Sequence, residues 1–465
     1  MVASSFTSTP GLPILQSSDL VHWKLISYAL DKIVPIDYYQ KVHHGAGVWA
    51  PSIRYHAGEF YIYYPDPDMG IYMVKTKNIL GKWSTPILVE GGKGLIDPCP
   101  LWDDDGKVFL VHAYAGSRAG IKSVLVMKQM NTEGTKTIEE GKLVYDGHEI
   151  DPTVEGPKLY KYKGWYYIFA PAGGVTTGWQ IVLRSKNIYG PYERKKVMEQ
   201  GTSKTNGPHQ GGWVQTNTGE DWFLHFQDKG AYGRITHLQP MVWKNGWPVI
   251  GEDMDGDGIG QPVDQYKMPS ILNASILENK TKEASKYQWN VNPASQWRMS
   301  YGDVYRQYAI VKPDSIPNLW NFPALYLQKI PAESFEFTSS INFTSLQKGE
   351  RAGFILFGKS YASIELKNDS KGLQLNYIEC IRADKGTPEQ VIPLLTSGVS
   401  QKIFFRLSIK ANALAQFSYS LDGKKYITIP KQFQAEAGVW VGAKMGYYCI
   451  SDKPTNDAGF MVVEN

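Results

Sequence analysis

Residues 155–170, EGPKLYKYKGWYYIFA, place a glutamate ahead of two strand-like runs, KLYKY and WYYIF, that turn back on each other at Gly164. The arrangement recurs. WAPSIRYHAGEFYIYY begins at Trp49 and DPCPLWDDDGKVFLVH at Asp97, and in all three the first residue stands nine positions before a turn glycine, Gly58, Gly106 or Gly164. HQGGWVQTNTGEDWFLHF begins at His209, with ten positions to Gly219, and the four starts are separated by 48, 58 and 54 residues. Similar tails recur too: SSDLVHW at 17–23, KTKNILGKW at 75–83 and SKNIYGPY at 185–192.

A period of 40 to 60 residues, each unit a four-stranded meander, predicts a β-propeller. Innermost strands of a propeller run along its central channel, so residues at equivalent strand mouths converge on the axis. Here those residues are Trp49, Asp97, Glu155 and His209. An isolated Asp-Pro reads more simply as a turn cap. Three polar residues and a tryptophan sharing one repeat position argue for a functional ring.

Composition narrows the function. With 49 basic and 45 acidic residues and no Lys/Arg run, the chain offers little to a nucleic acid or an anionic membrane surface. No window approaches the ~18 apolar residues of a spanning helix. Cys99, Cys380 and Cys449 are odd in number and far apart, which suggests neither a disulfide framework nor a zinc site. Nucleotide-binding glycine patterns are absent. The 14 Trp and 29 Tyr suit a large all-β core and can also stack on sugar faces. Two carboxylates and a Trp at a propeller mouth point to glycoside hydrolysis, in which one acid protonates the leaving oxygen and another activates water or attacks the anomeric carbon.

The segments SSFTSTPGLPILQSSDLVHW, GVWAPSIRYHAGEFY, DPCPLWDDDGK, VEGPKLYKYKGWYY, GPHQGGWV and GRITHLQPMVW resemble, in order and over nearly the whole chain, the family 43 glycoside hydrolases. The resemblance implies a five-bladed propeller with α-L-arabinofuranosidase, β-D-xylosidase or arabinanase activity and an inverting mechanism. It implies that Glu155 in VEGP is the general acid and Asp97 in IDPCP the residue that tunes and orients it. Phe6 and Trp49 would wall the terminal-sugar pocket, His209 would be the axial histidine, and Arg234 in GRITHLQP would meet a substrate hydroxyl or carboxylate.

The family's general base, an Asp in an Asp-Pro motif upstream of SSFTSTPG, has no counterpart: the first acidic residue is Asp19. Residues 1–46 read as the tail of a blade whose head is absent. The expectation is a truncated first blade, an export signal in the absent segment (hence a periplasmic or secreted protein), and impaired turnover.

The organisation expected is a five-bladed propeller with an incomplete first blade over 1–267, a polar connector over 268–284, and a β-sandwich of jelly-roll type over 285–465. Within the latter, Trp320 and Phe322 of NLWNFPALYLQKI are either contacts at the catalytic mouth or ordinary sandwich core. DMDGDG at 253–258 has the spacing of a calcium loop, making Asp253, Asp255 and Asp257 candidate ligands of a structural Ca²⁺, although the same residues suit a tight acidic turn. No other cofactor is expected. The leading expectation is an exo-acting enzyme that removes terminal α-L-arabinofuranose from hemicellulose. β-D-Xylosidase activity is the near alternative, and a carbohydrate-binding protein that has lost turnover is the alternative of another class. Partners are arabinose- or xylose-containing saccharides.

Overall fold

The computed structural model describes residues 1–272, 283–301, 304–453 and 457–464. The chain forms two compact units. The first comprises Met1–Val34, Ala46–Asp228 and Ile235–Ser285; the second, Pro35–Gly45, Lys229–Arg234 and Lys286–Asn465. Residues 273–282 of the expected connector lie outside the described residues.

The first unit is all-β and propeller-like. A two-stranded sheet pairs β1 (Gly11–Gln16) with β2 (Lys24–Leu30), and Val2 adds a bridge to Ile14. Four four-stranded meanders follow. They are β3 to β6 (Ser52–His56, Glu59–Asp66, Gly70–Thr76, Ile87–Gly91) and β7 to β10 (Leu95–Trp102, Val108–Tyr114, Val124–Met130, Lys142–Asp146). Next come β11 to β14 (Lys158–Tyr162, Trp165–Ala172, Trp179–Ser185, Glu193–Met198) and β15 to β18 (His209–Gln215, Asp221–Asp228, Arg234–Lys244, Trp247–Ile250). The four complete sheets are the four sequence repeats.

Central strands such as β8 are buried on both faces, which is why they read as near-continuous apolar runs rather than alternating ones. In β8, Val108 and Leu110 join Tyr61, Tyr63, Ile71 and Met73 of the preceding sheet. Phe109, Val111 and Ala113, on the opposite face, join Leu159, Ile168, Ile181 and Leu183 of the following one. A third core joins Phe169 and Val182 to Phe223, Met241 and Ile250. Consecutive sheets thus share cores, as blades do. A fully buried side chain of this size stabilises by about 1.5–3 kcal/mol.

The second unit is a β-sandwich. One sheet runs in the order Gln288–Trp289, Tyr326–Lys329, Lys444–Ser451, Glu350–Phe357, Tyr361–Asp369, Gly372–Cys380, Gln390–Leu395, with Ile310–Val311 added in parallel to Lys444–Ser451. The other runs Arg298–Tyr301, Val304–Tyr308, Phe460–Glu464, Phe335–Asn342, Lys402–Lys410, Leu414–Ser420, Ile427–Gln434. Ser339 and Tyr447 share a hydrogen bond of 2.7 Å across the two sheets. Phe322 is fully buried, and Trp320 stacks on His44 at 3.7 Å and on Phe357 at 5.7 Å. These two aromatics are core of the second unit, the plainer of the two expectations. All three cysteines are buried and free. Among the described residues, no helix is long and apolar enough to cross a membrane.

Candidate active site

Trp49 and Glu155 occupy equivalent strand mouths. The Trp49 N–H donates to the Pro65 carbonyl at 2.9 Å, and the Glu155 N–H to the Pro171 carbonyl at 3.1 Å. Both bonds therefore span 16 residues. Asp97 and Gln210 are presented differently. The register of β7 against β8 shifts between Ile96 and Cys99, and that of β15 against β16 shifts between His209 and Gly212. A bulge of this kind re-aims a side chain. Asp97 and Gln210 take φ of 57° and 50°, and Phe6, which bridges to Val48, takes 51°. Left-handed backbone at non-glycine residues costs about 1–3 kcal/mol each and clusters where a site needs it.

The bulges bring Asp97 and Gln210 together beside Glu155. Asp97 Oδ2 accepts the Gly156 N–H at 2.7 Å and a Gln210 Nε2 hydrogen at 3.0 Å. Gly156 has φ 59°, and a Cβ there would sit 2.9 Å from Gln210 Oε1, so the position requires glycine. Glu155 Oε1 lies 2.7 Å from Nε2 of the buried His209. The Glu155 side chain keeps 31% of its surface exposed, whereas Asp97 is buried. Burial first, and then the neighbouring Glu155 charge, push the Asp97 carboxyl up to about 6, against the pull of Lys158 and the two hydrogen bonds.

Behind this pair lies a polar layer. Lys158 Nζ donates to the Gly156 carbonyl at 3.4 Å. Arg54 Nη2 approaches Cys99 Sγ at 2.8 Å, and the Leu159 N–H donates to the same sulfur at 3.2 Å. Burial lowers the Lys158 ammonium from its ordinary value, opposed by Cys99, Asp97 and Glu155.

Phe6 and Trp49 are also neighbours, with centroids 6.4 Å apart at 58°. The Arg118 guanidinium lies 5.4 Å from the Trp49 ring and pairs with Asp68 at 3.3 Å. Trp49 packs on the core that contains Ile96, Cys99 and Val154, next to Asp97 and Glu155 in sequence. Arg234 opens β17, is partly buried, and belongs to the second unit.

Asp253, Asp255 and Asp257 each offer one oxygen within 4.8 Å of the others. Their carboxylates also accept the N–H groups of Gly256, Gly258, Asp257 and Ile259.

Among the groups expected from the sequence, Asp97, Glu155 and His209 form one network, and Phe6 and Trp49 one pair. Gln210, the Gly156 amide and Lys158 are not marked by the repeat. They stand inside the motifs GPHQGG and VEGPK, but a repeat count weighs only the residue at the ring position.

The sequence profile of Glycosyl hydrolases family 43 matches residues 1–248. The chain belongs to glycosyl hydrolase family 43. Residues 279–464 match the Beta xylosidase C-terminal Concanavalin A-like domain. A Xylanibacter ruminicola protein carrying a β-xylosidase name is 35% identical over 96% of this chain and 82% of its own length. A non-reducing end α-L-arabinofuranosidase of Bacteroides ovatus is 29% identical over 77% of this chain and 69% of its own. The crystal structure of a xylan β-1,4-xylosidase from Bacillus halodurans superposes with a TM-score of 0.82 at 21% identity, covering 100% of this chain and 95% of that one, and supports the fold. This family 43 chain is thus a glycosidase by membership, with a propeller-like domain and a C-terminal sandwich.

Proposed function

We propose that this family 43 glycosidase is exo-acting and inverting, and removes a terminal pentose from hemicellulose or its oligosaccharides. Glu155 is the general acid. Asp97 orients it and, as a like charge, keeps its proton in place. The observation that carries this reading is the bond from Asp97 to the Gly156 amide, which couples a buried carboxylate to the residue after a partly exposed glutamate. In an inverting hydrolase the water-activating carboxylate sits about 6.5–9.5 Å from the acid, across the sugar. Asp97, bonded to the acid's own backbone segment, suits the orienting role and not that of the base. Phe6 and Trp49 serve as sugar-facing walls, and His209 holds the acid from behind.

The relatives weight the terminal sugar toward β-D-xylopyranose, because the 35% identical protein bears the β-xylosidase name. α-L-Arabinofuranose, expected first from the sequence, is the second reading and is supported by the Bacteroides ovatus relative. The test is kcat/KM on 4-nitrophenyl β-D-xylopyranoside and α-L-arabinofuranoside, with the anomer first released followed by proton NMR. A clear preference for arabinofuranoside reverses the sugar assignment, and a product of retained configuration removes the inverting mechanism.

A further inference from the structure

Lys158 has a place in this site that the acid–orienter scheme does not use. It is buried, and among the described residues the one hydrogen bond of its ammonium goes to the Gly156 carbonyl at 3.4 Å, with no direct ion pair. Gly156 is therefore gripped from both sides, its N–H by Asp97 Oδ2 at 2.7 Å and its C=O by the Lys158 ammonium. A buried ammonium without a contacting carboxylate is costly and persists only where the surrounding charges favour it. The charged and titratable groups facing it are Asp97 and Cys99 from β7, Glu155 from the segment before β11, and Arg54 from β3. Tyr160 of β11 faces Arg54, while Gln210 and His209 of β15 hold Asp97 and Glu155. Lys158 thus lies near two carboxylates, Asp97 and Glu155, and one other cation, Arg54.

We propose that Lys158 is a positioning residue for the Asp97–Glu155 pair: it clamps the Gly156 peptide opposite Asp97, and its charge favours the ionised form of Asp97. The inference rests on the reading of Glu155 as acid and Asp97 as its orienter.

The sign of the effect follows directly. The working form of the pair carries one proton, with Asp97 ionised and Glu155 protonated. A nearby positive charge lowers both apparent pKa values of such a pair. Lys158→Met removes that charge, so both limbs of the kcat/KM–pH profile should move to higher pH by about one unit, the low end of an opposite-charge effect. Lys158→Arg keeps the charge and should leave the profile within about 0.3 unit of wild type on the same scale. Melting temperatures are recorded in parallel, since a purely structural role lowers stability and rate without moving the profile.

A second readout does not depend on turnover. In protein labelled with ¹³C-carbonyl glutamate and ¹⁵N-glycine, the correlation missing from Glu155→Gln identifies the Gly156 amide. Its proton shift follows Asp97 ionisation through the hydrogen bond. The Gly156 titration should move upward in Lys158→Met and stay in place in Lys158→Arg. An unmoved titration in Lys158→Met, or equal displacement in both variants, overturns the proposal. Should Lys158→Met not fold, wild type decides. Its profile should hold steady between about 0.05 and 1 M salt, because buried charges are little screened, and a shift above about half a unit overturns the inference. Glu155→Gln separates the two readings: if it still cleaves poor leaving groups, the acid assignment falls, whatever Lys158 does.

Discussion

The carboxylate of Asp97 is held 2.7 Å from the backbone nitrogen of Gly156, the residue directly after Glu155. The bond links two strand mouths 59 residues apart and leaves no room for a side chain on Gly156, whose Cβ would meet Gln210 at 2.9 Å. Gly156→Ala should therefore push Gln210 off Asp97 and strain a left-handed backbone, costing about 1–2 kcal/mol of stability. Activity should fall by a larger factor than the melting temperature suggests. A variant with wild-type kcat/KM would show that the Asp97–Gly156–Gln210 geometry is dispensable.

Glu155→Gln removes a proton donor but keeps the side-chain shape. Hydrolysis of xylobiose or other poor leaving groups should drop by about 10²–10⁴-fold. 4-Nitrophenyl glycosides should suffer far less, because their leaving group needs little protonation. Equal losses on both substrate classes would count against the acid role.

Asp97 is buried at a cost that depends on pH. Its folded value of about 6 lies above the ordinary 3.8. The folded state therefore binds this proton more tightly than the unfolded state, and stability is lost as pH rises between the two values. Below the lower value both states are protonated and nothing is lost. Asp97→Asn should be more stable than wild type by about 1–3 kcal/mol at pH 7.5, less whatever Lys158 loses with its counter-charge. The gap should close toward pH 4. Denaturant titrations at the two pH values check this, and a gap of the same size at both would mean that Asp97 ionisation does not govern it.

The motifs of residues 1–465 lead us to expect no counterpart of the family's general base among them. Turnover of 4-nitrophenyl β-D-xylopyranoside by residues 1–465 should be slow, short by about 10²–10⁴-fold from the missing proton transfer. Azide, a nucleophile that needs no base, should accelerate it and yield a glycosyl azide. A fast unaided rate that azide leaves unchanged would mean that a carboxylate of these residues acts as base. Tight sugar binding with no turnover under either condition would favour the carbohydrate-binding alternative.

Much of this protein is local in origin and is therefore written in its sequence. Strand, glycine turn, aromatic strand is a pattern of neighbouring residues. Its recurrence at Trp49, Asp97, Glu155 and His209 marked the four meanders, and Trp49 and Glu155 do occupy equivalent strand mouths. Two-sided burial of strands such as β8 likewise shows as an unbroken apolar run. Tertiary structure decided what the repeat could not. The bulges at Asp97 and Gln210 depend on register against β8 and β16, and the Gln210–Asp97 bond joins residues 113 apart. The double grip on Gly156 by Asp97 and Lys158, and the fate of Trp320 and Phe322 as core, also depend on which strands pack together. The assignment of Pro35–Gly45 and Lys229–Arg234 to the second unit has the same cause. Periodicity reports which face of a strand is apolar. It cannot report which polar atom of a distant strand will lie within 3 Å, because that contact exists only after the sheets have closed on one another.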